Sequence, residues 1–153
     1  MESQFDEFDK ENLPYRRDLL PWWVKVFSWI FIVFGGLSII NFFILIFGVG
    51  IDASLYGLAQ VLPHPYAALL ILSIMIFNGV TGLLLWYEKE NAILVGQICA
   101  AVGIIVCLIS MALSIGLGDF TFRLEIIFIG LFLNWLNKIK FEWEEESRPH
   151  TKY

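Results

Sequence analysis

From Pro21 to Gly50 the chain reads PWWVKVFSWIFIVFGGLSIINFFILIFGVG, and Lys25 is the only charge in that stretch. An uncharged run longer than about 18 residues has the length of a helix that crosses a bilayer. Three further apolar runs follow it. Hydrocarbon admits only segments that satisfy their own backbone polar groups, so such runs fold as helices or as closed barrels. Continuous apolar blocks, without the period-two alternation of barrel strands, select helices. The expected fold class is therefore all-α: a four-helix transmembrane bundle, antiparallel, with spans at about 22–48, 67–87, 92–115 and 120–138.

Composition agrees. The 153 residues are 58% hydrophobic and 16% charged, whereas soluble domains run near 45–50% and about 25%. Four spans of about 20 residues use roughly half the chain and leave no room for a separate soluble domain. Residues 1–20 read as a disordered cytoplasmic tail, 21–143 as the membrane domain and 144–153 as a second tail. The net charge of −5 arises largely from those tails, which argues against nucleic acid as a partner. They are expected to be solvated, or to offer an acidic docking surface.

The first span opens on Pro21, which is tolerated in a first helical turn. Trp22 and Trp23 suit the headgroup layer, and Lys25 can snorkel to it. The acidic N-terminus and the length of this run do not fit a cleavable signal peptide, so the span is expected to be retained. Gly35 and Gly36 mark a place for close helix contact or a slight bend. In the loop 49–66, Asp52 can cap a short helix over 53–62. Leu55, Leu58, Ala59 and Leu62 would give it one apolar face, so it is expected to lie on the outer surface. Pro63 and Pro65 end it.

The fourth span is the weakest. Arg123, Glu125 and Lys138 bracket only twelve uncharged residues, about 18 Å of helix against a hydrocarbon core of about 30 Å. It must start near Phe120 or thin the bilayer, and it is expected to continue past the membrane through Lys138, Lys140 and Glu142. Orientation follows from Lys and Arg. Lys10, Arg16, Arg17, Lys25, Lys89, Lys138, Lys140, Arg148 and Lys152 share one side of a four-span topology, with Arg123 on the other. Both termini are therefore expected in the cytoplasm.

Two patterns concern packing and chemistry. Gly96, Ala100, Gly103, Cys107, Ser110 and Ser114 recur at spacings of 4, 3, 4, 3 and 4. Small residues let helices approach closely in lipid, so this stripe is expected to form an interior seam of the bundle or of an oligomer. Asn41, Asn78, Gln97 and Asn134 are amides at membrane depth and should face the interior; Gln97 and Asn134 are expected within reach of each other. Glu125 is the first candidate for function, because an ionisable group inside a span suggests one. Arg123, two positions away, points to roughly the opposite side of the helix and suits Asp119 better. Glu125 would look to His64 or Asn41, or remain wet at the helix start, where the macrodipole favours it.

Several signals are absent. Cys99 and Cys107 would sit about 12 Å apart along one helix, too far for a disulfide. His64 and His150 show no metal-ligand spacing. Gly48-Val-Gly50-Ile-Asp-Ala53 matches a dinucleotide fingerprint, but it follows a long helix and lacks the later acidic residue. No cofactor is expected.

The segment Gly82-Leu-Leu-Leu-Trp86-Tyr-Glu88-Lys89-Glu-Asn-Ala92-Ile, with PWW ahead of the first span, resembles small uncharacterised four-span membrane proteins of bacteria. The resemblance implies a four-helix bundle in an inner (plasma) membrane and carries over no activity. The expected role is that of a structural or accessory membrane protein whose partners are the lipid bilayer and either a second copy or another membrane protein. A small oligomeric channel or transporter for protons, ions or small solutes, using the intramembrane polar residues, is the alternative. An intramembrane enzyme is a third reading.

Overall fold

A computed structural model describes residues 13–47, 55, 66–116 and 123–149. It is helical, with no strand among those residues. A short 3-10 helix, Arg16–Leu19, precedes four α-helices: α1 (Trp22–Ile46), α2 (Tyr66–Trp86), α3 (Ala92–Gly116) and α4 (Glu125–Glu145). The first three are long and apolar enough to cross a membrane, at about 31–38 Å by rise per residue. They end within two residues of the expected bounds. The fourth starts later than the expected bound at 120 and continues past Lys138 as expected. It begins at Glu125, where the amides of Ile126 and Ile127 bond the carbonyls of Arg123 and Leu124, and it runs through Lys138 and Lys140 to Glu145. The charges that shorten its apolar segment do not interrupt its backbone ladder. The interfacial helix expected over 53–62 lies outside the described residues.

Helices α1 and α2 are the closest pair, for a reason visible in their residues. A Cβ added to Gly35 would stand 2.5 Å from Gly79 Cα, and one added to Gly82 would stand 2.6 Å from the Ser28 carbonyl oxygen. The two backbones therefore touch. Ser28 and Ser38 share this buried edge of α1, and each donates its hydroxyl to the carbonyl four residues back. Satisfied in that way, a serine behaves as a small packing residue.

Gly96 of α3 faces Leu136 of α4, and farther along Cys107 packs with Ile71, Ile74, Ile126 and Ile129. The stripe Gly96, Ala100, Gly103, Cys107, Ser110 and Ser114 is buried along its whole length. It is covered within this one chain by α2 and α4. The larger core cluster lies at the other end and joins Leu20, Val24, Leu85, Ala92, Ile93, Leu136, Ile139 and Trp143. By contrast α1 leaves Ile30, Val33, Phe34, Leu37, Ile40 and Phe43 exposed on its outer side.

The end of the fold where α2 turns into α3 is tied down by the described residues ahead of α1 and those at the end of α4 and just after it. The Arg16 amide donates to the Arg148 carbonyl at 3.0 Å and the Arg148 amide to the Pro14 carbonyl at 3.1 Å. Residues 13–20 and 144–149, assigned to tails from the sequence, are thus bonded to each other or belong to α4. All six tryptophans lie on the elements meeting here or one to two turns inward: Trp22, Trp23, Trp29, Trp86, Trp135 and Trp143.

Candidate functional site

Two polar arrangements stand out: one among the helices and one at the end where residues 14–17 meet residues 143–148.

Inside, α1 and α4 meet through rings and not through close backbone approach. Phe31 and Phe132 are edge to face at 6.0 Å, Trp23 and Trp135 at 6.3 Å, and Phe27 lies 6.4 Å from Phe128. Rings of this size hold two helices apart, and a cavity of about 220 Å³ remains between them. Among the described residues its wall is apolar apart from Asn78, Cys99 and Glu125. Asn78 is 9% exposed, and its Oδ1 accepts a hydrogen bond from the Cys99 thiol at 2.6 Å.

The candidate residues read from the sequence fall in different places. Asn78 and Glu125 come to the same cavity, one deep and one on an exposed stretch at the start of α4. Asn41 is half-buried and makes no hydrogen bond with Glu125 among the described residues. Asp119 and His64, the suggested partners of Arg123 and Glu125, lie outside the described residues. Gln97 donates to Asn137 Oδ1 at 2.7 Å, not to Asn134. Leu136 fills the contact with Gly96, which leaves Asn137 beside Gln97 and turns Asn134 outward, where it is exposed. The expectation that all four amides face inward therefore fails for Asn134, and the Gln97–Asn134 pairing is replaced by Gln97–Asn137.

At the other end the arrangement was not foreseen. Helix α2 stops in a Schellman motif: the Lys89 amide reaches the Leu84 carbonyl at 3.0 Å and the Glu88 amide the Leu85 carbonyl at 3.3 Å. That closure requires a left-handed residue, normally glycine. Here it is Glu88, at φ 55°. Its side chain is 1% exposed and forms an ion pair with Arg17 Nε at 3.1 Å. Arg17 also donates to the Trp86 carbonyl at 3.0 Å and lies over the Trp86 ring at 4.5 Å. Arg16 donates to the carbonyls of Glu88 and Trp143, at 3.0 and 3.1 Å. The Trp143 indole in turn donates to the Lys89 carbonyl at 3.1 Å.

The last carbonyls of a helix have no partner within it, and cations are favoured at that end. Two neighbouring arginines thus close α2, the α2–α3 turn and α4 together. A planar fork that bonds and stacks at once is a property of arginine and not of lysine. From sequence Arg16 and Arg17 served only as topological charge. The available signal was an arginine pair just ahead of Pro21, at the level of a tryptophan-rich helix end and a Glu-Lys turn.

Among the described residues no group of three metal-ligating side chains gathers, and both cysteines are free and buried. No protein-family model matches the chain, and no similar protein was found among curated sequences or solved structures.

Proposed function

We propose that this chain is a four-span integral membrane protein with both termini in the cytoplasm, an antiparallel bundle that acts as a structural or accessory component and binds other membrane proteins or a second copy of itself. The bacterial inner membrane is the setting that the resemblance suggests. Helix α4 is the fourth span in this reading, with Glu125 near the outer surface and Lys138 and Lys140 near the inner one. Its twelve uncharged residues are matched to the membrane by local thinning of the bilayer. Contacts such as Gly35 with Gly79 and Gly96 with Leu136 fit helices that alternate in direction. The arginines, lysines and tryptophans gathered at one end fit a cytoplasmic interface.

One observation carries the choice of an accessory role over transport. The described interior is closed by backbone contact at Gly35 and Gly79 and by a continuous small-residue seam, and its cavity wall is almost wholly apolar. A path for ions needs polar groups or water along its length. The large apolar face left bare on α1 suits lipid or a partner helix.

The test pairs two measurements on protein in vesicles. Photocrosslinkers placed at Val33, Leu37 or Ile40 should trap one discrete adduct, either a dimer or a defined membrane partner. Proton and ion flux should match empty vesicles, with Glu125→Gln making no difference. Crosslinking that yields monomer alone, or a flux that Glu125→Gln abolishes, overturns the reading.

A further inference from the structure

The cavity between α1 and α4 holds an unmet requirement. Among the described residues the only hydrogen bond at the Asn78 side chain is the one that its oxygen accepts from Cys99. Its two N–H donors have no partner there; the residue is 9% exposed and lines the cavity. An amide donor that faces a largely apolar space is stabilised by an acceptor placed there. The surrounding wall supplies rings: Phe27, Phe31, Phe128 and Phe132.

We propose that this cavity binds a neutral, lipid-soluble ring compound bearing a carbonyl, the chemistry of a membrane quinone head. The Asn78 amide donates to the carbonyl oxygen, and the phenylalanine rings pack on the faces and edges of the ligand ring. Size favours a ring. A cavity of about 150 Å³ takes a benzene and drug-sized ligands need roughly 300 Å³ or more, so about 220 Å³ suits one substituted ring. A saturated acyl chain would fill the volume and leave the Asn78 donors unmet. A fatty acid would bring its carboxylate to the wall that carries Glu125. A single water would meet the amide and leave most of an apolar space empty. Binding of such a ligand goes beyond the accessory role and does not depend on it.

The experiment uses the full chain in phosphatidylcholine nanodiscs and a photoreactive azido-benzoquinone with a short alkyl chain. The label should map to peptides containing Phe27–Phe31 and Phe128–Phe132 and should be competed by unlabelled decyl-benzoquinone. Asn78→Leu should weaken binding by about 3- to 10-fold, the range set by one neutral buried hydrogen bond, while the exposed Asn134→Leu should leave it unchanged. Phe128 is 57% exposed, so Phe128→Ala keeps the fold and should also weaken binding. Label spread along the bare face of α1 without competition overturns the proposal. So does binding by Asn78→Leu that equals wild type.

Discussion

The ion pair between Arg17 and Glu88 makes an asymmetric prediction that a generic surface pair would not. Glu88 is 1% exposed and Arg17 34%. Removing one partner of a fully buried pair costs about 3–5 kcal/mol, because a buried charge is left alone, whereas exposed pairs give about 0–1 kcal/mol. Loss of Arg17 belongs near the first case, since the Glu88 carboxylate stays inside. Loss of the carboxylate belongs nearer the second. Arg17 is a third exposed, can reach water, and keeps its bond to the Trp86 carbonyl and its place over the ring. Arg17→Gln should therefore cost about 2–4 kcal/mol and Glu88→Gln about 1 kcal/mol, values discounted from the buried limit for solvent screening. The double variant should be more stable than Arg17→Gln alone, since the buried carboxylate that lost its Arg17 partner is gone. Glu88→Gly adds a second contrast. It loses the same pair but relieves a left-handed backbone worth about 1–2 kcal/mol, so it should be no worse than Glu88→Gln. Unfolding in mixed micelles, followed by tryptophan fluorescence, reads all four. Equal costs for Arg17→Gln and Glu88→Gln, with the double variant at their sum, would refute the argument.

Two other perturbations separate neighbouring positions. Gly35→Ala and Gly79→Ala each force a methyl into facing backbone and should destabilise by about 1–3 kcal/mol, the usual range for overpacking. Gly36→Ala meets nothing within 4 Å and should be neutral or slightly stabilising; thermal unfolding of the three in one detergent decides it. Replacing Gln97 by Leu should cost less than about 1 kcal/mol, because its bond to Asn137 is exposed and interhelical amide bonds average about 0.6 kcal/mol. A coupling well above that in a Gln97–Asn137 double-mutant cycle would place the pair deeper in hydrocarbon than its exposure suggests.

What could be read in advance follows the range of each interaction. Spans α1, α2 and α3 announce themselves because hydrocarbon thickness imposes a run length on any single helix, and no partner need be known. The α3 stripe was equally readable, since a repeat of small residues is a property of one helix face. The α1–α2 contact was only half readable. Gly35 was visible, but Ser28, Gly79 and Gly82 make sense as its neighbours only once the two helices are placed side by side. Gln97 found an amide one turn from the expected one, because the choice between Asn134 and Asn137 is set by the rotation of α4, which Leu136 fixes against Gly96. The arginine cluster was out of reach. It joins residues more than seventy and more than a hundred positions apart, and no local pattern encodes where two chain ends will meet.

That cluster bears on the helix with the least reason to stay in place. Helices α1, α2 and α3 are long and apolar enough to cross a membrane, but α4 offers twelve uncharged residues, and three charges bracket them. Its position must come from protein contacts. One set is the α3 seam, where Leu136 enters the space left by Gly96 and Ile126 and Ile129 meet Cys107. The other is the end at the α2–α3 turn, where Trp143 is wholly buried, bonds the Lys89 carbonyl and is itself bonded by Arg16. With α4 as weak in hydrocarbon as its charges imply, loosening the α2–α3 turn end should release α4 before the α1–α2 pair. Trp143→Phe removes the indole donor and leaves a small cavity where the larger ring was packed. It should expose Asn134 and Asn137 to hydrogen exchange while protection around Gly35 and Gly79 persists. Simultaneous loss of protection in both regions would mean that the four helices open as one unit and that the α2–α3 turn end does not hold α4 separately.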